Sequence, residues 1–186
     1  MKKLISVFSI LSLLLLQTNA FAQEDNDKDK PDKKYDFTKT KSVNKSYNVS
    51  SSDKLHIENQ FGKVEIHTWD RNEIKVDVSI EASANKEAVA QKIIDGITVS
   101  DSQNGRDISF KTNFKNREKE SGDDSKNEKS TMHINYSISM PASNPLRVSN
   151  QFGATTIPDY RGEIELNCKF GSLTAGALSK DRKSVV

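Results

Sequence analysis

Cysteine is all but absent: Cys168 is the only one in 186 residues, which excludes an internal disulfide framework. Histidine is scarce and scattered, at His56, His67 and His133, and a structural or catalytic zinc needs three or four converging ligands. A charge excess is lacking too. Lys and Arg total 28 against 26 Asp and Glu, for a net charge of +2. The two surplus positives are Lys2 and Lys3, so no overall field draws nucleic acid or an acidic membrane. Only 34% of residues are hydrophobic while 29% are charged, so part of the chain does not join a core. No phosphate loop, dinucleotide fingerprint or nucleophile elbow occurs. No metal, cofactor or catalytic residue is therefore expected.

One long hydrophobic run exists. Lys2 and Lys3 precede an apolar stretch from Leu4 to Leu16, and Ala20-Phe21-Ala22 places small residues ahead of Gln23. This is the layout of a cleaved secretory signal peptide. The run is short for a bilayer span, which takes about 20 residues. Residues 1–22 are read as a signal peptide and the product as exported: periplasmic, cell-surface or extracellular, with no later membrane span. Residues 23–46 form a charged leader with few aliphatic side chains, expected to be disordered. A second charged run, residues 116–130, is expected to be an exposed loop. Its Asp123-Asp124 pair could meet a cation, but the neighbouring lysines argue against that. The folded domain is placed at 47–178, with a polar tail at 179–186.

Within that domain the apolar residues recur with period two. Leu55 and Ile57, Val64 and Ile66, Ile74 to Ile80, and Ile134 to Met140 each alternate with polar residues. Each set reads as a strand with one buried face. Asp70-Arg71-Asn72 supplies a turn, and Asn104-Gly105 is a hairpin signal before Ile108 and Phe110. One segment departs from this pattern. Asn85 to Asp95 places Ala88, Val89, Lys92 and Ile93 at helical spacing, with Asn85 as N-cap and Gly96 as stop.

An internal repeat carries the most information. Leu55-His-Ile-Glu-Asn-Gln-Phe-Gly returns as Leu146-Arg-Val-Ser-Asn-Gln-Phe-Gly and again as Ile164-Glu-Leu-Asn-Cys-Lys-Phe-Gly. The last two copies lie 18 residues apart, and the first stands 91 residues before the second. A coil taking one turn per repeat would stack like positions at about 4.8 Å. Leu55, Leu146 and Ile164 would then share a column, as would Phe61, Phe152 and Phe170. Gly62, Gly153 and Gly171 would mark the corners, supplying the backbone angles of the turn. The phenylalanines are expected inside a dry column, and Cys168 as a small packed residue in the slot of Asn150. The expected fold is all-β: a β-solenoid, β-helix-like repeat with an N-terminal strand-rich section and one short amphipathic helix. A pair of similar hairpins in a sandwich is the alternative.

The run Ile134 to Leu178, with a strand ending at Pro141 and units starting at Leu146 and Ile164, resembles the DUF4097 putative adhesin family, related to head-GIN autotransporter adhesins. Leu55 to Val78, with Phe61-Gly62 and Trp69-Asp70, resembles the opening section of such proteins. The resemblance implies a secreted β-solenoid of the bacterial envelope and transfers no catalytic residue. Members of that family continue through more turns than this chain does.

Other chemistry is weighed against bland readings. His56 and His67 take the outward parity of adjacent strands, near Glu58 and Glu65, within possible reach of each other across the Phe61-Gly62 turn. The polar face of a half-buried sheet is the favoured reading over a metal or catalytic pair, because the further ligands are missing. His133 has no evident partner. Trp69 reads as a core or edge-packing residue before a sugar platform. Asn48 and Asn135 match glycan-acceptor tripeptides. The expectation is a non-catalytic exported module, an adhesin-like or scaffold protein whose partner is an envelope protein or polysaccharide. The alternatives are a carbohydrate-active enzyme on a β-helix scaffold, marked by acidic side chains clustered on one outer face, and an envelope-signalling accessory.

Overall fold

The computed structural model describes residues 35–115 and 128–185, with backbone alone from 180 onward. The signal peptide, the leader before Tyr35 and the charged run 116–127 lie outside the described residues. In chain order the elements are β1 (Phe37–Asn48), β2 (Lys54–Gln60), β3 (Val64–Trp69), β4 (Glu73–Ala84), α1 (Glu87–Gly96), β5 (Ile97–Asn104), β6 (Asp107–Phe114), β7 (Ser130–Pro141), β8 (Leu146–Gln151), β9 (Thr155–Ile157), β10 (Tyr160–Lys169), β11 (Leu173–Ala175) and β12 (Leu178–Val185).

The strands form two six-stranded sheets, ordered β1-β4-β7-β3-β9-β11 and β12-β10-β8-β2-β6-β5. The alternation in the sequence turns one face of each sheet inward. Ile74, Val76, Ile134, Tyr136 and Ile138 of the first sheet join Leu55, Ile57, Phe110, Val148 and Leu166 of the second in one core. Fully burying a side chain of this size contributes about 1.5–3 kcal/mol. Antiparallel pairs β1–β4, β4–β7 and β5–β6 interrupt otherwise parallel stacking. Both sheets are therefore mixed and open, and the chain is all-β with one short helix.

Each repeat unit gives one strand to each sheet, so the copies are not hairpins. In the second sheet Leu55 pairs with Leu146 and Leu146 with Ile164, all parallel. In the first, Val64 pairs with Thr155 and Thr155 with Leu173.

Two boundaries need correction. Residues 37–46, expected to be disordered, lie in β1, which pairs with β4 along its whole length. Only Val43 and Tyr47 of that strand pack on the core, so it is held by its backbone ladder together with side-chain bonds to β5 and α1. Residues 179–185 of the expected tail lie in β12, parallel to β10. The helix also differs from expectation. Its N-cap is Lys86, without a side-chain cap, and its buried residues are Ala90 and Ile94. The Asn85 carboxamide instead accepts from the Lys129 amide at 3.1 Å.

Candidate binding surfaces

The repeat corners are built differently from expectation. Phe61, Phe152 and Phe170 carry the positive φ, at 62°, 58° and 54°, a region unusual for bulky residues. The glycines after them serve close approach instead. A Cβ on Gly62 would overlap the Ile134 backbone, one on Gly153 the Gly62 carbonyl, and one on Gly171 the Gly153 carbonyl. The phenylalanine amides tie the rungs together. Phe61 N–H donates to the Gln151 carbonyl and Phe152 N–H to the Lys169 carbonyl, each at 2.9 Å.

The rings do stack, but outside the core. Phe61 and Phe152 have centroids 5.1 Å apart with planes 6° from parallel, and Phe152 and Phe170 are 5.0 Å and 11° apart. Phe114 meets Phe61 edge-on at 5.7 Å. Phe152 is 47% exposed and Phe170 78%. The expectation of a dry phenylalanine column is therefore wrong. The left-handed turn carries each ring around the corner to the surface. The dry column is that of Leu55, Leu146 and Ile164, each buried.

A polar ladder runs behind the corner. Asn59, Asn150 and Cys168 occupy one register across β2, β8 and β10. Asn59 Nδ2 donates to the Ile134 carbonyl at 3.0 Å and to Asn150 Oδ1 at 3.2 Å. Asn150 Nδ2 reaches the Gly62 carbonyl at 3.0 Å and Thr155 Oγ1 at 3.3 Å. Thr112 Oγ1 donates to Asn59 Oδ1 at 3.1 Å and also bonds the Tyr136 hydroxyl at 2.9 Å. Burial pushes that tyrosine up to about 12. The asparagines thus satisfy corner carbonyls that stacking removes from water. Their signal in the sequence is the Asn-Gln-Phe-Gly identity of the first two copies. Cys168 closes the ladder as a buried free thiol.

The histidines do not meet. β2 belongs to the second sheet and β3 to the first, so His56 and His67 point outward from opposite sheets. His56 stands 3.6 Å from Glu58, which Lys111 approaches at 2.8 Å. Partial burial pulls His56 below its ordinary value, while the Lys111 hydrogen bond lowers Glu58. Arg147 and Glu165 continue this paired polar face at 3.0 Å. His133 is exposed near the Phe61–Phe152 corner, beside Met132 and Lys63. Among the described residues, no group of three or more His, Cys, Asp or Glu side chains is placed to hold a metal ion. No helix there is long and apolar enough to cross a membrane.

The outer face of the first sheet carries a polar row across all six strands. Asn44 pairs with Asp77, Asp77 with Ser137, Ser137 with Glu65, Glu65 with Thr156, and Thr156 with Thr174. Trp69 shares the outward parity of Glu65 and pairs with Pro141. Its Nε1 donates to the Glu73 carbonyl at 2.8 Å. Glu73 opens β4, on the far side of β7, so the indole crosses the end of β7. The Arg71 guanidinium lies 5.0 Å from the ring centroid.

No family model and no curated protein matches the sequence. Solved structures do show similarity. One is described as a putative cell adhesion protein from Clostridium sporogenes, 9% identical over 79% of this chain and 100% of that one, with a TM-score of 0.33. Another is a putative lipid binding protein from Parabacteroides distasonis, 12% identical over 74% of this chain and 58% of that one, at 0.31. A putative adhesin from the same organism is 9% identical over 69% of this chain and 46% of that one, at 0.26.

Proposed function

We propose that this chain is an exported, non-catalytic, adhesin-like module of the cell envelope that holds a protein or polysaccharide partner on its outward faces. The carrying observation is the parallel, in-register pairing of Leu55, Leu146 and Ile164. It commits the interior to packing and repeats outward side chains at strand spacing, about 4.8 Å. That arrangement supports reading the repeat as a β-solenoid section set beside antiparallel strands. The sequence resemblance to the DUF4097 putative adhesins and the signal-like residues 1–22 support export. The polar outer faces carry charges in pairs, which suits recognition by many weak contacts. The test is saturable binding of labelled full-length protein to intact bacterial envelopes and to isolated capsule and peptidoglycan. Saturable binding to at least one surface is expected. Binding no greater than that of albumin to any of them would sink the adhesive reading.

A further inference from the structure

β7 lies between β4 and β3 in the first sheet, and beyond His133 its outward side chains are short: Asn135, Ser137 and Ser139. Beside Ser137 and Ser139 the neighbouring strands carry longer ones, Lys75 and Asp77 on β4 and Glu65 and His67 on β3, with Lys63 just before β3. The two serines on the middle strand and the longer side chains on both flanks leave a groove along β7 at Ser137 and Ser139. A cavity of about 190 Å³ meets it at Ser137 and crosses the strands, lined by Ser42 and Asn44 of β1, Asp77 and Ser79 of β4, Ser137 of β7 and Glu65 of β3. The walls stand two strand spacings apart, about 9–10 Å.

The wall charges cancel locally. Lys75 lies 2.8 Å from Asp77, and Lys63 lies 2.9 Å from Glu65. Asn44 Nδ2 gives Asp77 a second partner at 2.6 Å. The groove therefore offers no net charge to a charged polymer. It also offers no backbone to an extended peptide, because β7 is paired on both sides and strand addition needs a free edge. What remains is a set of hydroxyls and carboxamides, which donate and accept, and of carboxylate oxygens, which accept. A neutral polyol, whose hydroxyls do the same, matches that inventory.

We propose that this groove binds a neutral oligosaccharide chain lying along β7, its hydroxyls bonded by Ser137, Ser139, Asp77 and Glu65. This rests on the adhesive reading and names its ligand and face. The experiment screens full-length protein on a glycan array and measures the hit by calorimetry against three variants. Ser137→Tyr and Ser139→Tyr fill the groove, and Ser149→Tyr places the same bulk on the outer face of the second sheet. Thermal unfolding identifies any variant that fails to fold, and the other groove variant then carries the test. The groove variants are expected to bind at least about tenfold more weakly, with Ser149→Tyr unchanged. The proposal is overturned if no neutral glycan binds, or if Ser149→Tyr weakens binding as much as the groove variants do. Envelope binding separates the two levels. Binding that survives periodate but not protease overturns the glycan ligand and leaves the adhesive reading standing, whereas absence of envelope binding removes both.

Discussion

A methyl group at Gly153 has nowhere to go. It would point into the carbonyl of Gly62, which belongs to the neighbouring rung and cannot rotate aside. Relief requires separating two strands paired through β2 and β8. Gly105 offers the contrast: it has open space around its would-be Cβ, but its φ is 60°. Gly105→Ala should cost about 1–2 kcal/mol, the penalty for a left-handed non-glycine residue. Gly153→Ala should cost more than about 4 kcal/mol or prevent folding. Urea denaturation of both variants measures the difference. Equal losses would mean that close approach of the rungs is not what Gly153 supplies. Phe61, Phe152 and Phe170, before the corner glycines Gly62, Gly153 and Gly171, show the reverse. Each bears positive φ, offset by ring stacking worth about 0.5–1.5 kcal/mol per pair and, for Phe61 and Phe152, by an amide bonded into the next rung.

At the scale of elements, β1 stands at the edge of the first sheet yet reaches the second. Tyr47 donates to Asp101 of β5 at 2.5 Å, Lys45 lies 3.4 Å from the same carboxylate, and Lys41 donates to the Ile97 carbonyl at 3.3 Å. Burial and then the Asp101 hydrogen bond and charge push Tyr47 up to about 12, and the Tyr47 hydrogen bond leads the causes that lower Asp101. The signs bracket the clasp. The depressed carboxyl contributes stability above its unfolded value near 3.9, lost as pH falls through the folded one. The raised phenol contributes below about 10, lost as pH rises toward 12. Tyr47→Phe should therefore destabilise β1 by about 1–2 kcal/mol at pH 7, and the difference should shrink at pH 3. Hydrogen exchange over residues 37–48, corrected for intrinsic rates, checks this. An unchanged β1 at pH 7 counts against the clasp. This strand was not legible in the sequence, because it offers only Val43 and Tyr47 to the core and is otherwise a charged edge. β12 escaped because Ser179 to Ser184 is a polar run with no apolar alternation in the sequence. Strands with a full apolar face, such as Leu55–Ile57, Ile74–Ile80 and Ile134–Met140, were readable from period alone. The groove was not, since it depends on β7 finding β4 on one side and β3 on the other.

For the molecule as a whole, charge sets the kind of partner that can be held. If residues 1–22 are removed on export, Lys2 and Lys3 go with them and 26 charges of each sign remain. On the described surface the carboxylates lie within ion-pairing distance of neighbouring bases in several places, Glu58 with Lys111 and Glu165 with Arg147 among them. Exposed pairs of this kind contribute little to stability, about 0–1 kcal/mol each. Their larger effect is to flatten the potential, so long-range steering of a charged partner is weak. Added salt then has little to screen, because the Debye length is already about 8 Å at physiological ionic strength. Glycan affinity is therefore expected to change by less than about twofold between 50 and 500 mM salt, a much flatter dependence than counterion release produces for phosphate polymers. Calorimetry across that range gives the slope. A steep linear fall of log affinity with log salt would show that the bound polymer is charged, and would move the site from the neutral β7 groove to a face where one sign of charge prevails.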